Sequence, residues 1–99
     1  MRVLEELAEI PGPYLGKWGG PVSGVLSASG DHVFVANHAL GSVAVLDIDP
    51  GSPTYDTVVD TLDVGADPIF QALTPDGTRL VVANNESATL SILDVSAWP

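Results

Sequence analysis

The chain has 99 residues, a length that suits one small domain, and 45% of them are hydrophobic, which argues against disorder. Its 13 acidic and 3 basic side chains give a net charge of −10, so nucleic-acid backbones and anionic membranes are unsuitable partners. The absence of cysteine excludes disulfides, thiolate metal sites and cysteine nucleophiles.

Residues 1–20 form an N-terminal lead-in for which two structures are possible. The apolar positions between Val3 and Ile10 fit one face of a short helix that Pro11 would end. Alternatively, residues 7–11 are the outer strand of a preceding sheet. The segment lacks the pattern of a signal peptide, and no apolar run reaches the ~20 residues of a membrane helix. We therefore expect no membrane insertion, and the localisation stays unknown from these residues.

From residue 21 onward, short β-branched runs alternate with turn signals, a pattern typical of strands. In the turn at residues 74–77, proline presets φ, aspartate bonds nearby backbone and glycine accepts a positive φ. Residues 57–64 are partly polar, which suits an outer strand with one wet face. In chain order, the predicted strands are Pro21–Leu26, 32–36, 43–48, 57–64, Pro68–Leu73, 79–83 and 89–95.

An internal repeat relates these strands. Residues 21–50 align with residues 68–97 without a gap, at an offset of 47 positions, and eight of the thirty positions are identical. Hydrophobic pairs such as Val45 with Ile92 are conservative as well. An ungapped match of this kind indicates a duplication.

The repeat length and the short strands of each unit fit a β-propeller blade, which contains four short antiparallel strands in ~40–45 residues. The continuously apolar runs 33–36 and 80–83 predict sheets covered on both faces. The fold class is therefore all-β, with about two antiparallel blades, the second incomplete, in an incomplete ring. Residues 21–67 form the first blade and residues 68–99 the second, partial blade.

Several motifs resemble the YVTN-type β-propeller repeat family. Residues 34–37 and 81–84 resemble its Tyr-Val-Thr-Asn signature, and residues 64–68 resemble its Val-Gly-x-x-Pro link between blades. Residues 74–80 resemble its Pro-Asp-Gly hairpin, whereas Ala-Ser-Gly at residues 28–30 departs from it.

The resemblance implies a seven- or eight-bladed ring in a complete protein, often exported or at the cell surface. The wider superfamily includes surface-layer proteins, sugar-lactone lactonases and quinoprotein amine dehydrogenases. A ring needs ~4–8 blades. We therefore expect a fragment of a longer protein, or else a short chain that assembles with copies of itself or with a partner.

Residues that recur in both units, or that lie at the link or in the Pro-Asp-Gly hairpin, are interpreted as a structural signature, because a catalytic residue tends to be singular. Asparagine in particular accepts left-handed turns and bonds nearby backbone. The signature comprises Gly30, Val35, Ala36, Asn37, Asp47, Gly65, Pro68, Asp76, Gly77, Val82, Ala83, Asn84 and Asp94.

Candidate chemistry outside the signature is sparse. His32 and His38 could serve as a metal ligand pair or a general base, or could be exposed histidines at strand ends. Asp47 and Asp49 have the alternate spacing of a calcium loop but lack its further ligands, so Asp47 and Asp94 are interpreted as turn caps. No nucleophile elbow or phosphate-binding loop is present.

The sequence therefore predicts a non-catalytic structural or interaction module without a cofactor. Its expected partners are the remaining propeller blades, a second copy or a partner chain. The alternative is part of an enzyme propeller, either a lactonase-like hydrolase or a quinoprotein-type oxidoreductase.

Overall fold

The computed structural model describes residues 21–99, which form seven strands and no helix. The lead-in, with its alternatives of helix or outer strand, lies outside the described residues. No helix long and apolar enough to cross a membrane occurs in the part of the chain that is described. The strands are β1 (Pro21–Leu26), β2 (His32–Asn37), β3 (Ser42–Asp47), β4 (Thr57–Asp63), β5 (Pro68–Leu73), β6 (Arg79–Asn84) and β7 (Thr89–Asp94).

The strands form two antiparallel sheets in chain order. The first sheet contains β1 to β4 and the second contains β5 to β7. This arrangement confirms the predicted all-β class with one four-stranded and one incomplete blade. β1 and β5 each carry an irregularity in register at their first residues, between Pro21 and Ser23 and between Pro68 and Phe70. The repeat thus preserves local irregularities of the strands as well as their order.

The hydrophobic core lies between the two sheets. Because side chains alternate between the faces of a strand, one face of the first sheet meets one face of the second. The fully buried members of this core are Phe34, Val43 and Val45 from the first sheet, and Leu80, Val82 and Val95 from the second unit.

The prediction that both central strands are covered on both faces holds for the first sheet only. Phe34 to Asn37 are all buried in β2, whereas burial alternates along β6. Val81 and Ala83 are half-buried, and their neighbours Leu90 and Ile92 in β7 are exposed. Within residues 21–99, therefore, one face of the second sheet lacks a covering layer.

Gln71 ties the two sheets together through hydrogen bonds. Its side-chain amide donates to the carbonyl of Phe34 at 2.7 Å, and to the carbonyl of Ser23 at 3.1 Å and its hydroxyl at 3.3 Å. The residue is buried in β5, so these bonds satisfy a donor that would otherwise be costly to bury. The equivalent residue in the first unit is Gly24, which has no side chain to make such a tie.

Candidate functional site

A groove of about 500 Å³ lies where the chain passes from the first sheet to the second. Its walls are the turn between β2 and β3, the segment that joins β4 to β5, and Glu86 of the turn between β6 and β7. The joining segment is fixed on both sides. The amide of Val64 donates to the carbonyl of Gly41 at 2.9 Å, and the amide of Asn85 donates to the carbonyl of Asp67 at 2.8 Å.

Gly65 allows the joining segment to approach the second sheet. An added Cβ would lie 2.5 Å from the hydroxyl oxygen of Ser87 and 2.9 Å from the side-chain amide of Asn84. The Ser87 hydroxyl also accepts a hydrogen bond from the amide of Ala66 at 3.1 Å. A side chain at position 65 would therefore displace Ser87 and Asn84 from the joining segment.

His38 and Asp67 pair within the groove. The imidazole Nδ1 contacts Oδ1 of the aspartate, while Asn85 donates from its side chain to the other carboxylate oxygen at 3.1 Å. The side chain of Asp67 is 12% exposed and that of His38 is 37% exposed. An imidazole whose Nδ1 is held by a carboxylate keeps Nε2 available to accept a proton or bind a ligand.

The backbone of Asp67 supports this pairing. Its φ of 60° lies in the left-handed region, which aspartate adopts more readily than most residues. The structure therefore directs one carboxylate toward both His38 of the first unit and Asn85 of the second. Sequence reasoning missed this pair, because nothing local connects positions 38 and 67; the only signal was that neither residue recurs in the other unit.

The groove is acidic. Asp63, Asp67 and Glu86 contribute carboxylates to its walls, and Arg79 is the single arginine or lysine within residues 21–99. Arg79 belongs to a separate surface recess beside the turn between β5 and β6. The electrostatic character of the groove therefore disfavours anionic ligands.

The two signature asparagines end β2 and β6, and both are buried. Asn84 donates from Nδ2 to the hydroxyls of Ser91 at 2.9 Å and Thr89 at 3.3 Å. Among the described residues, the amide atoms of Asn37 have no hydrogen-bond partner. The sequence accounts for one of the two missing bonds, because Ala44 stands in the first unit where the second has Ser91.

The signature aspartates accept hydrogen bonds within their own turns. Hydroxyl groups of Ser52 and Thr54 hold the pKa of Asp47 below its usual value, assisted by the amide of Asp49. The hydroxyl and amide of Ser96 lower the pKa of Asp94 in the same way. Each carboxylate therefore stabilises the turn that follows its strand.

Asp76 performs a similar role in the hairpin between β5 and β6. The amide of Thr78 is the main cause of its lowered pKa, and the hydroxyls of Thr74 and Thr78 add to it. Gly77 follows with a φ of +75°. An added Cβ there would lie 2.6 Å from the Cβ of Ala28, so this turn also packs against the first unit.

The other signature residues lie in turns or strands. Gly30 has a φ of +82° in the turn between β1 and β2. Pro68 is buried at the start of β5. Val35 and Ala36 are buried in β2, Val82 is buried in β6, and Ala83 is half-buried beside it.

The structure does not bring the two histidines together. His32 begins β2 opposite Asp47, and His38 follows the other end of that strand, about 20 Å away at ~3.3 Å per residue. Asp47 and Asp49 accept hydrogen bonds from turn residues. In residues 21–99, no group of three or more His, Cys, Asp or Glu side chains has the geometry to hold a metal ion.

The repeat, the strand order and the packing of the two sheets define the chain as part of a β-propeller. A family model described as "Lactonase, 7-bladed beta-propeller" matches residues 3–97, so the chain belongs to that family.

The solved structure of hydrazine synthase from Kuenenia stuttgartiensis is similar, with a TM-score of 0.70 and 28% sequence identity. The match covers 91% of this chain and 24% of that one, so the present chain spans about a quarter of the length of that protein. Comparison with curated proteins gave no match.

Proposed function

We propose that the chain is a structural and interaction segment of a propeller, without catalysis of its own, in an exported or cell-surface protein. The observation that carries this proposal is the use of most of the polar side chains in the structural signature. Asp47, Asp76, Asp94 and Asn84 all hydrogen-bond to residues of their own turns or adjoining strands. Side chains engaged in this way stabilise the fold and are not available to a substrate.

The partners in this proposal are further blades of the same ring or a separate chain that completes it. The open apolar face of the second sheet supports this, because exposed contiguous apolar surface typically marks an interaction site. Within residues 21–99 the outer edge of β7 is unpaired, which provides a second contact, since an edge strand presents free backbone groups to another strand.

A second candidate is a lactonase-like hydrolase, which the pairing of His38 with Asp67 and the matching family both favour. In this case Nε2 of His38 would act as a general base that activates a water molecule toward the lactone carbonyl. Asp67 would hold the ring in position and stabilise the imidazolium that forms. The remaining catalytic groups would come from other blades of the ring.

Hydrolysis of lactones by the protein expressed in its complete reading frame distinguishes these functions. We expect acid release from five- and six-membered aliphatic lactones to match the buffer rate, and the His38→Ala variant to behave identically. His32→Ala is the matched control, because that histidine lies at the far end of β2. Hydrolysis that is lost in His38→Ala and Asp67→Asn but kept in His32→Ala would contradict the non-catalytic proposal.

A further inference from the structure

The sequence contains two bonds between aspartate and proline, Asp49–Pro50 and Asp67–Pro68, and the second of them joins the two units. An aspartate that precedes proline can break its own peptide bond, because its carboxylate closes a five-membered ring onto the carbonyl carbon. The nitrogen of the prolyl amide carries no hydrogen, and it leaves as a basic secondary amine. The two bonds share this intrinsic chemistry, so their surroundings decide which of them reacts.

Asn85 supplies two hydrogen bonds to the residue whose bond would break. Its backbone amide donates to the carbonyl oxygen of Asp67 at 2.8 Å. A donor at this position stabilises the negative charge that develops on the same oxygen when the carbonyl carbon is attacked. The side chain of Asn85 donates to Oδ2 of Asp67 at 3.1 Å and so holds the carboxylate, which is the nucleophile.

His38 is placed to supply the proton that the leaving nitrogen needs. Its Nδ1 contacts Oδ1 of Asp67, so the imidazolium form carries an N–H group directly beside the reacting residue. The other carboxylates that line the groove around His38 are those of Asp63 and Glu86. Arg79, the single arginine or lysine of residues 21–99, lines a separate recess. In this part of the chain, His38 is therefore the one side chain of the groove that can act as a cationic acid.

The backbone at the Asp67–Pro68 bond is strained. A residue before proline is ordinarily extended, because the proline ring collides with its backbone in other conformations. Asp67 instead has a φ of 60°, and it is followed by a proline whose side chain is fully buried. Breaking the bond releases this strain, which the surrounding contacts otherwise maintain.

We propose that the Asp67–Pro68 bond is a self-cleavage site, at which the chain divides into residues 1–67 and 68–99. A carboxylate oxygen of Asp67 forms a bond to the carbonyl carbon of the same residue. The bond from that carbon to the nitrogen of Pro68 breaks, and the nitrogen takes the proton of the His38 imidazolium. The products of this step are a cyclic anhydride at Asp67, a secondary amine at Pro68 and a neutral imidazole.

Water completes the reaction by opening the anhydride to two carboxylates. Of the two protons that this releases, one restores the imidazolium of His38 and the other protonates the new amine of Pro68. The reaction occurs once in each molecule and acts on the chain itself. It therefore goes beyond the proposed structural function, and it requires no lactone or other substrate.

The Asp49–Pro50 bond is a matched control within the same chain. The carbonyl of Asp49 also accepts a backbone amide, from Ser52 at 2.9 Å. Its carboxylate, however, accepts the amide of Gly51 at 3.0 Å rather than facing a histidine, and its φ is not positive. The two bonds therefore share the aspartate, the proline and the donor to the carbonyl. They differ in the histidine and in the backbone conformation.

The test incubates the purified full chain with protease inhibitors and follows both cleavages by intact-mass spectrometry. We expect the Asp67–Pro68 bond to break at least about tenfold faster than the Asp49–Pro50 bond, and faster at about pH 5.5 than at about pH 8, where imidazole is neutral. In concentrated urea the two rates should become similar, since only the shared chemistry remains. Equal rates in the folded chain, or an intact Asp67–Pro68 bond, would overturn the proposal.

Substitutions separate the roles of the two side chains. His38→Ala should slow cleavage at Asp67–Pro68 on the order of 100-fold, the contribution of a general acid. His32→Ala, at the far end of β2, is the matched control and should leave the rate unchanged. Asp67→Glu keeps a carboxylate but would have to close a six-membered ring, so cleavage should be lost.

Circular dichroism shows whether each variant is folded, and the comparison of the native chain with and without urea requires no variant. A folded His38→Ala chain that cleaves at the native rate would overturn the role of the imidazole. A native rate that depends on protein concentration or on the protease inhibitors would assign the cut to another molecule and overturn self-cleavage.

Discussion

At the scale of single residues, the two signature asparagines provide a natural comparison. They occupy equivalent positions, but only Asn84 has hydrogen-bond partners among the described residues. We expect Asn84→Ala to lower the free energy of unfolding by about 1–3 kcal/mol, because it leaves a buried site without its two hydrogen bonds. Asn37→Ala should cost less, since it removes no hydrogen bond. Urea unfolding of both variants measures these changes. Equal losses of unfolding free energy would contradict the conclusion that only the Asn84 side chain contributes hydrogen bonds.

Asp47 makes stability depend on pH in a definite direction. Its pKa in the folded chain lies below the ordinary value of 3.8, so folding favours the ionised carboxylate. The stabilisation that the ionised carboxylate provides is complete above about pH 5 and is lost as the pH falls through the lowered pKa. As the pH is lowered from about 5 to about 2, the free energy of unfolding should therefore fall less steeply in Asp47→Asn than in the native chain.

The double substitution Ser52→Ala and Thr54→Ala is the matched control for this prediction. It keeps the carboxylate but removes the two hydroxyl donors that are the main cause of its lowered pKa. It should reduce the steepness of the acid transition as well. Identical pH profiles for the native chain and both variants would show that these turn contacts do not contribute.

At the scale of strands and turns, local chemistry made most elements predictable. The Pro-Asp-Gly sequence encodes its own turn, and both Gly30 and Gly77 have the positive φ expected of such positions. The exposure of one face of β6 was not predictable, because an apolar run such as 80–83 has the same sequence pattern whether one or both of its faces are covered. The pairing of His38 with Asp67 was hidden for a related reason, since it depends on how two turns meet.

The contact between the sheets depends on a polar residue that the apolar pattern concealed. Gln71 makes three hydrogen bonds to the first unit from a buried position. We expect Gln71→Ala to destabilise the chain by about 1–3 kcal/mol, because it leaves a cavity and removes these bonds. Thr78→Ala, in a turn of the same sheet, should cost less. Thermal and urea unfolding measure both, and a neutral Gln71→Ala would contradict a role in holding the sheets together.

At the scale of the whole molecule, the repeat relates two units whose surroundings differ. The similarity to a much longer protein, of which this chain spans 24%, is consistent with the view that these units belong in a larger assembly. Where two equivalent residues are chemically alike, an energetic difference between them reports the surroundings of each sheet. Val45 and Ile92 are the most useful pair, because both are branched aliphatic residues at the same position of the repeat.

The final prediction uses this pair. Val45 is fully buried and Ile92 is 65% exposed. We expect Val45→Ala to lower the free energy of unfolding by about 2 kcal/mol, through lost burial and the cavity it leaves. Ile92→Ala should change it by less than about 0.5 kcal/mol, as for other surface positions. If a further sheet packs against β6 and β7 in a longer protein, the cost of Ile92→Ala should rise to that of Val45→Ala. Equal costs in the isolated chain, independent of protein concentration, would contradict the exposure of Ile92.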